Sequence, residues 1–332
     1  MNRIIITGGA GFIGSHLVLG WVKKHPNLEV MNVDKLGYAS NPAFLEPARS
    51  HSNYHFDKVD LCERGRVRDL IQCFKPDGVI HLAAESHVDN SILDPEPFVL
   101  SNIIGTFNLL EECRQYWHKV GLLEAARFHH VSTDEVYGAL ANGGSFTEAT
   151  PYHPNSPYSA SKASSDHLVR SYNHTFGMNT VITNSSNNFG PHQHDEKLIP
   201  TVIRSALKHE SIPVYGNGQN VRDWIFVGDH CDAIEVVFAT GEPGATYNVG
   251  AKNELKNIEL VGQICAMLNE LVGKGPGGDY RNLICFVTDR PGHDWRYAID
   301  SSKLENELNW APVHKFEESL KHTVKWYVER YL

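Results

Sequence analysis

Arg3-Ile4-Ile5-Ile6-Thr7-Gly8-Gly9-Ala10-Gly11-Phe12-Ile13-Gly14 decides the fold: a short β-branched run feeds a glycine-rich turn, and the turn opens a helix. Glycines at 8, 11 and 14 allow a tight bend, close approach of the backbone to a pyrophosphate, and close packing of helix on strand. The helix N-terminus then offers free N–H groups to phosphate charge. Asp34 ends the next apolar run about 20 residues on, where a carboxylate binds both hydroxyls of a ribose. An acid there repels a 2′-phosphate, so NAD is expected rather than NADP.

Outward from that turn, apolar runs alternate with amphipathic stretches. The pattern predicts strands over Arg3–Thr7, Leu28–Val33, Asn53–Val59, Gly78–Leu82, Arg127–Ser132 and Thr180–Asn184, and helices over Phe12–Lys24, Glu63–Phe74, Pro97–Trp117 and Ser156–Phe176. Such alternation implies an α/β fold, a Rossmann-type doubly wound parallel sheet with helices on both faces. After about residue 190 loops rich in Pro, Gly and Asn replace the clean alternation. The expected organisation is an NAD-binding domain over 1–190 and a smaller C-terminal α/β substrate lobe over 191–332, with segments of about 222–250 returning to the sheet. Gly273–Gly278 is glycine-rich but no strand feeds it, so it is expected to be a surface loop.

Composition removes several function classes. The net charge is −9 and the cations form no stripe, which argues against a nucleic-acid partner. No apolar run approaches the ~20 residues of a membrane helix. The chain opens directly into a strand, and its six cysteines form no C-x-x-C pair. A cytoplasmic protein without a disulfide framework is expected. Nineteen histidines fall in no metal-ligand spacing, so no metal is expected.

A second stretch carries chemistry. Tyr158-Ser159-Ala160-Ser161-Lys162 puts a phenol and an ammonium on one helix face, at i and i+4. A nearby ammonium and a positive nicotinamide favour the phenolate, which makes Tyr158 a base for a sugar hydroxyl. Thr133-Asp134-Glu135 follows Ser132 at the carboxyl edge of the sheet, where ligands bind. Two adjacent acids exceed what hydride transfer needs. They supply an acid and a base for eliminating water, provided that their surroundings split their pKa values.

The glycine spacing resembles that of the extended short-chain dehydrogenase/reductase superfamily. His81–Asp89, Ser132–Gly138, Ser156–His167, Glu196–Pro200, Arg222-Asp223-Trp224 and Asp289–Asp294 together resemble the dTDP-glucose 4,6-dehydratases, over nearly the whole chain. That resemblance implies transient oxidation at C4, loss of water across C5–C6, and hydride return to C6. Tyr158, Thr133 and Lys162 would serve the C4 hydroxyl, Glu135 the C5 proton and Asp134 the departing C6 hydroxyl.

The resemblance further implies an NAD site of Gly8, Gly11, Phe12, Ile13, Gly14, Asp34, Lys35, Asp60, Leu61, Leu82, Ala83, Ala84, Ser86, Ser101, Asn188, Tyr158 and Lys162. Around the nucleotide-sugar it places Ser86, His87, Asn187, Lys197, Leu198, Pro213, Tyr215, Arg222, Asn257, Asp289, Arg290 and His293, together with Thr133, Asp134 and Glu135. Arg222 and Arg290 suit a diphosphate. A homodimer through Pro97–Trp117 and Ser156–Phe176 is also implied. The chain departs from the family pattern in three places: Gly37 stands for a hydroxyl residue, the Asn184–Pro191 run differs at Ser185 and Phe189, and His192-Gln193-His194-Asp195 follows it. The same dehydration of UDP-glucose or another nucleotide-hexose, and a sugar epimerase, are the other readings.

Overall fold

Arg3–Thr7 (β1) is an inner strand of a seven-stranded parallel sheet in a computed structural model that describes residues 1–141 and 143–332. Along the chain come α1 (Phe12–Lys24), β2 (Glu29–Val33), β3 (Tyr54–Asp57), α2 (Arg64–Phe74), β4 (Gly78–His81), α3 (Val88–Leu93) and α4 (Glu96–Phe98). Then follow α5 (Gly105–Val120), β5 (Arg127–Thr133), α6 (Pro157–Phe176) and β6 (Thr180–Ser185).

The second half contributes β7 (Asn187–Phe189), α7 (Leu198–Leu207), β8 (Ile212–Tyr215), β9 (Val221–Phe226), α8 (Val227–Thr240), β10 (Thr246–Val249) and β11 (Glu254–Lys256). It ends with α9 (Asn257–Leu271), β12 (Ile284–Val287), α10 (Ser302–Leu308) and α11 (Phe316–Tyr331). The sheet order is β10-β6-β5-β4-β1-β2-β3, so the chain reverses direction between β1 and β4. Every residue of β4, β5 and β6 is buried, as a sheet covered on both faces requires.

Leu109, Trp117 and Val169 from α5 and α6 cover one face, while Leu17, Trp21, Ile234 and Phe238 from α1 and α8 cover the other. Thus α8 and β10 return to the sheet, whereas β9 lies in a separate three-stranded sheet with β7 and β11. The other lobe packs α7, α9 and α11 around Phe189, Ile199, Trp224, Leu260 and Leu320. Pro213 and Tyr215 share the outer face of β8, which pairs with β12.

The helix expected over Pro97–Trp117 differs in kind. Between α4 and α5 the segment Val99–Ile104 is a π-helix. The cause lies at Asn102, whose carbonyl is taken by the Thr106 hydroxyl at 2.5 Å and the Ser165 hydroxyl at 2.6 Å. That widening is common beside functional sites. Its consequence is that Asn102 faces inward, buried, toward the loop after β4.

Candidate active site

At the carboxyl ends of these strands, where the sheet order reverses, lies a cleft of about 320 Å³. Its floor is the glycine turn. Gly8 is in the left-handed region (φ 71°), and a Cβ there would stand 2.7 Å from the Ala83 nitrogen. A Cβ on Gly14 would meet the Gly8 carbonyl oxygen at 2.1 Å, so only glycine lets α1 close on the turn. Gly9 is just as constrained, 2.2 Å from the Asn32 amide oxygen by the same construction, although the G-x-x-G-x-x-G reading leaves it unspecified. The N-cap of α1 is Gly11, which has no side chain to cover the first-turn N–H groups, and Phe12, Ile13 and Gly14 line the cleft.

Every residue expected at NAD lines this one cleft: Gly8, Gly11, Phe12, Ile13, Gly14, Asp34, Lys35, Asp60, Leu61, Leu82, Ala83, Ala84, Ser86, Ser101, Tyr158, Lys162 and Asn188. Gly37 lines it too, at the point where the family pattern has a hydroxyl. A steric cradle open to phosphate, a free helix end and a terminal carboxylate together fit a dinucleotide with an unsubstituted ribose. Asp34 has a further task. Its carboxylate accepts from Ala10 N–H (3.0 Å), Leu36 N–H (2.7 Å) and the Ser40 hydroxyl (2.9 Å), which ties the turn to the loop after β2.

Purified protein should therefore release close to one equivalent of NAD on denaturation. Gly14→Ala should release a small fraction of that, because the added Cβ displaces α1 from the turn. Unchanged NAD content in a folded Gly14→Ala protein would remove the turn from the cofactor site.

The chemical residues meet at the inner wall. Thr133 ends β5, and its hydroxyl accepts from Glu135 N–H at 3.3 Å and donates to Asp134 Oδ1 at 3.4 Å. This Asx-like bonding folds Asp134–Tyr137 into a single 3₁₀ turn and holds both acids at the sheet edge. Asp134 is 1% exposed, and its Oδ2 has no partner among the described residues. Burial first, then the charges of Glu135 and Asp223, hold its carboxyl well above the usual carboxylate range. Glu135 is also raised by burial, but Arg290, Arg222 and Lys197 oppose the shift. Both carboxyls are therefore raised, Asp134 well above its ordinary range and Glu135 against the pull of three cations, so their surroundings differ in the sense that acid–base elimination needs.

Tyr158 lies one helical turn before Lys162 on α6. Burial and the Glu135 charge push the phenol above its ordinary value, while the Thr133 hydroxyl beside it works the other way. Lys162 does not bond the phenol directly. Its ammonium donates to the Val131 carbonyl at 2.9 Å and lies 3.4 Å from His130 Nε2. The two side chains share the helix face as expected, and the ammonium is anchored to the edge of the parallel strand β5.

The outer residues are less unified. Asn187 and Lys197 line the cleft, but His87, Leu198, Pro213, Tyr215, Arg222, Asn257, Asp289, Arg290 and His293 stand beyond its lining. Arg222 does not present a free guanidinium: it donates to the carbonyls of Val221 (2.7 Å) and Asp294 (2.9 Å) and lies over the Tyr297 ring. Arg290 pairs with Asp89 at 3.3 Å, and the Tyr215 hydroxyl donates to the same carboxylate at 3.2 Å. His293 Nδ1 is 2.6 Å from Asp289. Arg290 and Tyr215 thus join the lobe to the helix after β4, and Arg290 is the more accessible of the two arginines.

Two residues to which the sequence reading gave no role also shape the cleft. Asn102 accepts from Glu85 N–H (2.8 Å) and donates to Glu85 O (3.0 Å) and to the Ser161 hydroxyl (2.8 Å), fixing the Leu82–Ser86 wall. An asparagine among Leu100, Ile103 and Ile104 was its only signal. Glu196 accepts from the Tyr38 hydroxyl at 3.1 Å across the cleft mouth, linking the loop after β2 to the second lobe.

The chain matches the family model described as GDP-mannose 4,6 dehydratase over residues 5–323. It is 51% identical to a dTDP-glucose 4,6-dehydratase of Neisseria meningitidis, covering 99% of this chain and 94% of that one. The dTDP-glucose 4,6-dehydratase DesIV of Streptomyces venezuelae, crystallised with NAD, superposes with a TM-score of 0.89 at 42% identity, covering 98% of this chain and 97% of that one. A UDP-glucuronic acid 4-epimerase of Bacillus cereus superposes with a TM-score of 0.87 at only 26% identity, covering 99% of this chain and all of the other (100%).

Proposed function

This chain belongs to the GDP-mannose 4,6-dehydratase family and, within it, to the dTDP-glucose 4,6-dehydratases, and from that premise we propose how its own residues carry the reaction. The enzyme is an NAD-dependent hydro-lyase that converts dTDP-glucose to dTDP-4-keto-6-deoxy-glucose. The observation that carries this reading is the pair of adjacent acids that Thr133 holds in the wall of the cleft, Asp134 buried with its carboxyl well above the ordinary range and Glu135 beside it. A 4-epimerase of the same fold has no use for it.

Bound NAD supplies a hydride acceptor for C4 and a hydride donor for C6. Tyr158, beside Thr133, takes the proton of the C4 hydroxyl. The resulting ketone acidifies C5–H, which Glu135 removes. Asp134 gives its proton to the C6 oxygen, so water leaves across C5–C6, and C5 is reprotonated when C6 is reduced. Counting protons, the cycle leaves one extra on Tyr158 and one missing from Asp134. Thr133 touches both residues and gives that proton a route back.

We assign the diphosphate to Lys197 and Arg290, the cations whose charges, with that of Arg222, act on Glu135. Arg222 serves by fixing the segment around Asp294 and by its charge. We assign the sheet with its helices, including α8 and β10, to NAD, and the α7–α9–α11 lobe to the nucleotide-sugar. Leu93 is 84% exposed, and Val99, Leu100 and Ile104 are exposed along the same surface, which supports a homodimer through this face. Sedimentation of the purified protein decides that point. The six cysteines are unpaired, and among the described residues no helix is long and apolar enough to cross a membrane. We place the enzyme in the cytoplasm.

A panel of dTDP-, UDP-, GDP- and CDP-glucose should give 4-keto-6-deoxy product fastest from the dTDP sugar, read by the absorbance that the product develops in alkali. An epimerised hexose without 6-deoxy product would defeat the dehydratase reading, and preference for another nucleotide would move the substrate alone.

A further inference from the structure

Tyr158, Lys162 and Asp166 occupy successive turns of α6, at i, i+4 and i+8, on the face turned to the sheet. The first two belong to the site. The third carries a charge into the core with no evident use, since Asp166 is 0% exposed. A buried carboxylate persists only when it is paired and hydrogen-bonded. Its Oδ2 accepts from the Ser132 hydroxyl at 2.9 Å and from the Tyr152 hydroxyl at 2.9 Å. Its Oδ1 lies 3.3 Å from His130 Nε2, and the same ring nitrogen is 3.4 Å from the Lys162 ammonium. Lys162, 4% exposed, is itself a buried charge.

The groups facing this cluster come from every neighbouring element. His130 on β5 is kept neutral by burial and by Lys162, and His81 on β4, 5.2 Å away ring to ring, is neutral for the same reasons together with His130. Arg170 lies beyond Tyr152, with its guanidinium over that ring. Tyr158, with Asp134 and Glu135 behind it, closes the cleft side. Among the described residues Asp166 is the one anion whose charge raises the Lys162 pKa, against the burial that lowers it.

We propose that Asp166 is a positioning residue: the buried counter-ion that keeps Lys162 protonated in the active site, across a neutral His130. Its carboxyl sits at about 6 and the ammonium at about 8, so both charges coexist between those values. The role rests on the reading of Tyr158 and Lys162 as the pair that oxidises C4.

The test titrates Lys162 itself, by carbon NMR of protein labelled at the lysine side-chain carbons, with Lys162→Met identifying the resonance. Asp166→Asn should lower the Lys162 midpoint by about one pH unit or more, the scale of losing a close opposite charge. The alkaline limb of kcat/KM should move down with it. Tyr152→Phe removes a hydrogen bond from the same carboxylate but not its charge, and should leave the Lys162 midpoint in place. Coupling is reciprocal, so if Asp166→Asn does not fold, Lys162→Met gives the same answer: labelled Asp166 should then titrate higher by a like amount. An unmoved midpoint in either variant would overturn the pairing. A lowered midpoint with an unmoved limb would overturn the positioning role, and an activity loss equal at all pH values would make Asp166 a packing residue.

Discussion

Replacing Glu135 by Gln leaves the hexose oxidised at C4 but not dehydrated. The amide matches the carboxylate in size, so the 3₁₀ turn and the Thr133 bond to the residue-135 N–H survive. What is lost is the ability to accept a proton from C5. Loss of a positioned general base costs about 10²–10⁴-fold. The surviving Tyr158 and Lys162 still serve C4, so the mutant should show the near-ultraviolet absorbance of reduced cofactor together with 4-ketohexose and little 6-deoxy product. In deuterated water the wild type should place deuterium at C5, and the mutant should not. Full C5 labelling at normal turnover would send the search for the base elsewhere in the cleft. A second consequence concerns Asp134, whose pKa is raised partly by the Glu135 charge. With that charge gone the acid is less strongly held protonated, which adds to the loss.

Most of the cofactor half was legible because backbone geometry constrains residue type there. Gly8, Gly14 and Asp34 each meet a steric or electrostatic demand that few residues satisfy, and the demand recurs at fixed spacing. Thr133-Asp134-Glu135 was legible because two adjacent acids after a buried strand are costly unless used. The π-helix at Val99–Ile104 was not, because hydroxyls of Thr106 and Ser165 distant from it in one case by 63 residues create it. The setting of Arg222 was not legible for a similar reason: the Asp294 carbonyl and the Tyr297 ring that hold its guanidinium lie far along the chain. His192, one of the departures from the family pattern, packs between Phe44 at 3.9 Å and Trp326 at 5.5 Å, ring to ring. It joins the two lobes behind the cleft. Asp166 was readable in principle, as the third member of a four-residue repeat, but its partners His130, Ser132 and Tyr152 appear only in three dimensions.

Tyr158→Phe should abolish what Glu135→Gln preserves. The phenol is the acceptor for the C4 hydroxyl proton, and without it the hydride has no alkoxide to leave, so the loss falls on the first step. A decrease of about 10²–10⁴-fold is expected, with neither 4-ketohexose nor reduced cofactor accumulating. The two variants thus separate oxidation from elimination in one optical measurement. Burial holds the phenol above its ordinary value, and the unreacted site adds the Glu135 charge to that shift. Two positive charges must offset it at neutral pH, the nicotinamide ring and Lys162, and neither needs to touch the phenol oxygen. The offset works through the field in a dry cleft, where charges are weakly screened. It follows that Tyr158→Phe should retain NAD at the wild-type level, since the glycine turn and Asp34 bear the adenosine end. NAD lost along with activity would show the phenol to be a cofactor contact first, and the proton it takes would then have to pass to Thr133.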